Sequence, residues 1–353
     1  MARPKKNVAV PAPVGDETVR ESFPENWADV RGHAEIISRL RALAVTRRLP
    51  HALLFCGTEG VGKRRTARVL ARTLLCAAGG DAPCGQCDSC RTMATGVHPD
   101  YFEVAPEARG KSAAMIRTDA VRDILIAASG APIAAERRII LIDGADRMNE
   151  AAANRLLKTL EEPTGAVLFI LVTNAYDAIL PTIRSRAVRI AFGALPTAEI
   201  AAALTACGSE HAAAIAALAD GSLGRAYALA EEGLALRDDA LDLLAQLSDL
   251  SVEDIWARAE ALGARPHAER TAWISYVQMA LRDLLLLRED GGSGALCHID
   301  QRETLTALLA CMADSDIFAL MDGARELLRR FAANVNPALQ AEAFLLRARK
   351  QFI

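Results

Sequence analysis

The stretch Arg138–Pro163, RIILIDGADRMNEAAANRLLKTLEEP, decides the fold. Its apolar run Ile139–Ile142 ends on a carboxylate, Asp143, and a run so short and bounded reads as a fully buried strand of a parallel sheet. A helix is predicted over 149–161, with Leu156, Leu157 and Leu160 on one face and Pro163 as its stop. Working outward, the apolar run Ala52–Cys56 precedes the glycine-rich turn GTEGVGK at 57–63 and a helix predicted over Lys63–Leu75. Strand, glycine loop, lysine and helix, followed later by a strand that ends in Asp, is a layout built to meet phosphate: backbone N–H groups and the positive helix end face the anion.

Both halves of that phosphate-binding P-loop are altered. The residue after the loop lysine ordinarily supplies a hydroxyl to Mg²⁺, and here it is Arg64. The residue after Asp143, where an ATPase of this type places a glutamate to activate water, is Gly144. Gly57, Gly60, Gly62, Lys63 and Asp143 are therefore the candidate residues of a degenerate nucleotide site, with ATP or ADP binding left open. Further apolar strands are predicted at 100–104, 167–172 and 187–190, with an amphipathic helix at 119–128. Five strands with intervening helices make a parallel α/β sheet. Thr173-Asn174 ends the 167–172 strand, where a polar residue can contact a γ-phosphate in P-loop ATPases; the preferred reading here is an ordinary strand-end cap.

Between the first two strands lies CAAGGDAPCGQCDSC, with Cys76, Cys84, Cys87 and Cys90. Four thiolates on short chelate loops suit tetrahedral Zn²⁺ in a structural role, and an iron–sulfur cluster is the competing reading. A metal of this kind is worth on the order of 10 kcal/mol in small modules, enough to hold a loop that has little core.

The totals bound the rest. At 353 residues the chain predicts two to three domains, and its 52% apolar content supplies their cores. A formal charge of −3 excludes a broadly basic surface, so nucleic acid would have to meet a local patch. No apolar run is long enough to span a bilayer and the N-terminus lacks the apolar segment of a signal peptide, which predicts a cytoplasmic protein without membrane partners. Residues 1–22 read as a mobile polar tail, and breaks are expected at 263–266 and at the GGSG of 291–294. From Pro196 the pattern turns to alanine-rich helices. The chain divides into a tail (1–22), an α/β domain (23–195) with the cysteine module at 76–90, a small helical domain (196–235) and a longer helical domain (236–353).

HALLFCGTEGVGK, the cysteine cluster, NRLLKTLEEP and LPTIRSR together resemble the bacterial clamp-loader subunits of DNA polymerase III, which are AAA+ proteins; GSLGRA and NVNPALQAEAFLL add weaker support. The resemblance implies an AAA+ sheet with the P-loop strand at its centre, a helical lid and a C-terminal helical collar. It implies a pentameric ring with tau/gamma and delta subunits that opens the sliding clamp and places it on primed DNA. The altered loop resembles the non-hydrolysing stator type, whose Ser-Arg-Cys motif supplies an arginine finger to a neighbouring ATP site. Ser185 and Arg186 match that motif and Ala187 stands in place of the Cys. Without the resemblance, Arg186 would read as a surface arginine paired with a nearby carboxylate. A tau/gamma-like motor subunit, with Asp146 or another carboxylate in place of the missing Glu, is the alternative, and a P-loop kinase of small substrates a more distant one.

Overall fold

The computed structural model describes residues 26–108, 114–162, 165–290, 296–331 and 336–351. The expected tail at 1–22 and the break at 291–294 lie outside them. The described chain opens with Trp27, whose indole N–H donates to Asp81 O at 2.8 Å, and enters helix α1 (Ala34–Thr46). Strand β1 (Ala52–Cys56) leads through the glycine loop into α2 (Lys63–Leu75). After the cysteine segment come α3 (Asp88–Ala94), β2 (Tyr101–Val104), α4 (Thr118–Ala128) and β3 (Arg138–Asp143). Helix α5 (Glu150–Glu161) starts where the Asn149 side chain accepts from Ala152 N–H at 2.9 Å, which satisfies one of the donors a helix start leaves over. Then follow β4 (Val167–Thr173), the one-turn α6 (Pro181–Arg184) and β5 (Val188–Ala191).

All five strands are parallel, in the order β2-β3-β4-β1-β5. The expected central place of the P-loop strand is corrected by this order: β4 is central, and β1 lies between it and the short edge strand β5. The hydrophobicity explains the difference. β4 is the longest run and buried on both faces, whereas β5 is largely exposed and can only close an edge. Successive residues of β1 alternate between two cores. Leu53 and Phe55 join Leu40, Leu70 and Leu75 of α1 and α2 on one face. Ala52 and Leu54 join Val121, Leu156 and Leu160 of α4 and α5 on the other.

Beyond β5 every described element is helical: α7 (Thr197–Ala206), α8 (Ala212–Leu218), α9 (Leu223–Glu232), α10 (Ala235–Gln246), α11 (Val252–Ala264), α12 (His267–Asp290), α13 (Arg302–Ala310), α14 (Asp314–Phe331) and α15 (Pro337–Arg349), apart from one short 3₁₀ turn at Ile299–Gln301. One apolar cluster runs from Leu195 to Ala348 through these helices. Its largest fully buried side chain is Trp273, whose indole N–H donates to Asp239 at 3.0 Å. His298 is buried with Asp283, Nδ1 to Oδ2 at 2.9 Å, and the same carboxylate accepts the N–H groups of Cys297 and His298, which ties the chain after 295 to α12. Among the described residues no single helix is long and apolar enough to cross a membrane.

Candidate functional site

The glycine loop sits where the sequence puts it, between β1 and α2, and its surroundings are filled by the protein's own groups. Lys63 is 4% exposed. Its ammonium donates to Gly57 O at 2.8 Å, to Thr58 O, and to the side-chain oxygen of Asn174 at 2.8 Å. Burial pushes the Lys63 pKa down, against the pull of Asp143, Glu59 and Asp146. Asn174 is thus part of the site and more than a strand-end cap. Its place at the strand end is the one signal the sequence offers; the partner itself lies 111 positions away.

Arg64 reaches across to two carboxylates. Its guanidinium contacts Glu103 on β2 at 2.7 Å and Asp143 at the end of β3 at 3.4 Å. Arg68, one helical turn on, holds the same Glu103 at 2.9 Å, and the Tyr101 hydroxyl donates to it at 2.6 Å. Burial alone would raise the Glu103 pKa, but Arg68 and Arg64 outweigh it and hold the carboxyl below its ordinary value of 4.5. At Asp143 the balance goes the other way: burial raises the pKa above 3.8 although Arg64 opposes it. Where a hydroxyl would be offered to a metal, a cation stands, ion-paired with the carboxylate that would face the metal. Asp146, the alternative water-activating group, accepts Thr173 Oγ1 at 2.7 Å and the Asn174 N–H at 3.2 Å on one oxygen.

The loop is also clamped from two sides, by backbone on one and by an imidazole on the other. Gly224 N–H, at the start of α9, donates to Gly60 O at 2.9 Å. The approach is close enough that a Cβ on Gly60, which has φ +75°, would lie 2.2 Å from Ser222 Oγ, and one on Gly224 would lie 3.0 Å from Gly60 Cα. From the other side a ring nitrogen of His33 meets Val61 O at 2.9 Å, and the ring stands edge-on to Phe192 with centroids 4.9 Å apart.

Arg186 is elsewhere. β1 and β5 are parallel with Leu53 level with Val188 and Cys56 with Ala191. The glycine loop leaves the C-terminal end of this pair, and Arg186 enters at the N-terminal end. The two are separated along the sheet by roughly 20 Å at about 3.3 Å per residue. Arg186 is about one-third exposed; it contacts Glu161 at 2.7 Å and donates to Thr182 O at 2.9 Å. The local carboxylate pairing that an isolated surface arginine predicts is therefore present. Its neighbours are engaged differently: Arg184 pairs with Asp177 and lies over the Tyr176 ring, and Arg189 stacks on the same ring at 4.2 Å.

The four cysteines converge. The Sγ atoms of Cys76, Cys84, Cys87 and Cys90 all lie within 4.8 Å of one another, with Cys76–Cys87 at 3.9 Å and Cys84–Cys90 at 4.0 Å. Metal–sulfur bonds of about 2.3 Å in a tetrahedron set sulfurs about 3.8 Å apart, so the group fits a metal ion. Backbone N–H groups of Cys84, Cys87 and Cys90 point at the sulfurs of Cys76, Cys84 and Cys87 at 3.3–3.4 Å. N–H groups of Gln86 and Cys87 push the Cys84 thiol down to about 6, whereas burial pushes Cys90 up to about 12.

Comparison with known proteins follows the same lines. Residues 32–196 match the family model described as DNA polymerase III, delta subunit. The delta' subunit of DNA polymerase III from Pseudomonas aeruginosa is 32% identical over 307 residues, 84% of this chain and 90% of that one. The delta' subunit from Haemophilus influenzae is 41% identical over 136 residues, 38% of this chain and 40% of that one. The tau subunit from Salmonella typhimurium is 35% identical over 62% of this chain, which spans about a third (35%) of that longer relative.

Two predictions follow from the ion contacts and the thiols. Arg64→Ala removes counter-charge from Glu103 and Asp143 and should destabilise the chain near neutral pH by about 1–3 kcal/mol. Arg64 favours the charged form of both carboxyls. At Glu103, held below 4.5, its contribution is present above that value and fades as the pH falls through the lowered folded value; at Asp143, raised above 3.8 by burial, it is present only above that raised value and fades first as the pH falls. Chemical denaturation at neutral pH and near pH 3 should show the gap between variant and parent closing in acid; a gap equal at both contradicts the assignment. Metal analysis should find one divalent ion per chain. A strong chelator, or Cys90→Ser, should remove it and lower the melting temperature.

Proposed function

The chain belongs to the family of DNA polymerase III delta' subunits, and on that premise we propose that it is a non-hydrolysing stator of the clamp loader. In this reading it assembles with tau/gamma and delta subunits in a pentameric ring. It supplies Arg186 in trans to a neighbouring subunit's ATP while the sliding clamp is loaded on primed DNA. The observation that carries the proposal is the position of Arg186 at the sheet end opposite the chain's own loop. From there its guanidinium can serve a triphosphate only if another subunit brings one.

The altered loop supports the same reading. Hydrolysis needs a metal ligand after the lysine and a base near the attacking water. At those places this chain has Arg64, bonded to Asp143, and Gly144. Lys63 is engaged with loop carbonyls and Asn174 instead of standing free. The four cysteines would hold Zn²⁺ as a structural ion: four protein ligands close the tetrahedron and leave no position for a substrate. Residues 196–235 would form the lid, clamped on the loop through Gly224, and 236–353 the collar that joins the ring.

Arg186→Ala tests the proposal in the reconstituted loader. A guanidinium supplied in trans is worth on the order of 10³ or more in rate at the site it serves. The variant should assemble as the parent does and depress the clamp-stimulated ATPase rate by the share which that one site contributes. An unchanged rate in a fully assembled loader contradicts the role.

A further inference from the structure

Resting on the reading of Arg186 as a residue acting in trans, we propose that Glu161 is its positioning residue. Glu161 ends α5, and its carboxylate meets the Arg186 Nη2 at 2.7 Å. The Arg186 Nη1 is held by Thr182 O at 2.9 Å and by Ser185 Oγ at 3.3 Å. One guanidinium is therefore gripped by two elements, α5 and the turn of α6, while about a third of its side chain still faces solvent. The other two arginines of the segment are engaged elsewhere, Arg184 with Asp177 and Arg189 over the Tyr176 ring.

The grip is firm because of what lies behind Glu161. Leu156 and Leu160 are buried against the sheet, so the end of α5 cannot swing. The helix begins at the Asn149 cap, six residues after Asp143, and runs back along the sheet to the Arg186 end. Its twelve residues make a rod about 18 Å long. The charged ends of the molecule's two interesting regions are thus joined by one stiff helix.

Magnitude separates placement from stability. The Glu161 side chain is 49% exposed, and an ion pair so wet contributes little to folding. A misplacement of about 1 Å at a reacting group, by contrast, can cost as much as about 10²-fold in rate. Glu161 should therefore matter to turnover and hardly at all to the fold.

The test uses the reconstituted loader with Glu161→Ala, Glu161→Gln, Arg186→Ala and the double variant Glu161→Ala/Arg186→Ala. The expected result for Glu161→Ala is a kcat lowered toward that of Arg186→Ala, with the KM for ATP, the melting temperature and assembly unchanged. Glu161→Gln, which keeps an oxygen for the guanidinium, should fall in between. The double variant should be no slower than Arg186→Ala alone, because the two residues act through one group. Parental turnover in Glu161→Ala beside a slow Arg186→Ala overturns the positioning role and leaves the Arg186 reading intact. So does a double variant slower than either single. A loss of assembly in both Glu161 variants also overturns it, since the role would then be structural. Parental turnover in Arg186→Ala instead defeats the reading on which this inference rests.

Discussion

A guanidinium occupies the place where a P-loop protein of this kind presents a metal ligand. Arg64 bonds Asp143 at 3.4 Å and Glu103 at 2.7 Å, and with Arg68 it settles the charge of the pocket from within. Two partly buried carboxylates crowded at the ends of adjacent strands would otherwise need a cation from outside. The Lys63 ammonium meets loop carbonyls and Asn174, and the Gly224 N–H at the start of α9 donates to Gly60 O. The loop thereby joins the protein's own parts: β1, α2, the end of β4 and the start of α9 meet at it.

That joint bears on the far end of the sheet. β3 carries Asp143 at one end of the sheet, and α5 returns from there to Glu161 at the other. The buried leucines of α5 and the five parallel strands make this path stiff. A subunit that gives an arginine to someone else's triphosphate gains from such stiffness, because pre-placement removes the cost of ordering the side chain at the moment of use. The four converging cysteines could serve the same economy: a metal held by their sulfurs would fix a loop with little core of its own.

Much of this was legible in the residues because the signals are local. The apolar runs ending at Cys56, Ile142 and Val172 gave strands within a residue or so of their observed ends. The glycine loop, the substitutions at 64 and 144 and the cysteine spacing each sit within a few consecutive positions. The rest depends on pairs far apart in the chain. The order of the strands, with β4 central, follows from pairings no single run declares. Asn174 finds Lys63 across 111 positions, and Gly224 meets Gly60 across more than that. Glu161 closes on Arg186 from a different helix, and one carboxylate in LEEP looks like any other until the fold brings it round.

The central claim is that the loop has exchanged catalysis for structure. The purified chain alone, incubated with Mg-ATP and followed for phosphate release, examines that claim most directly. The account predicts no release above background, with Lys63→Ala indistinguishable from the parent. Steady turnover that Lys63→Ala abolishes would contradict it.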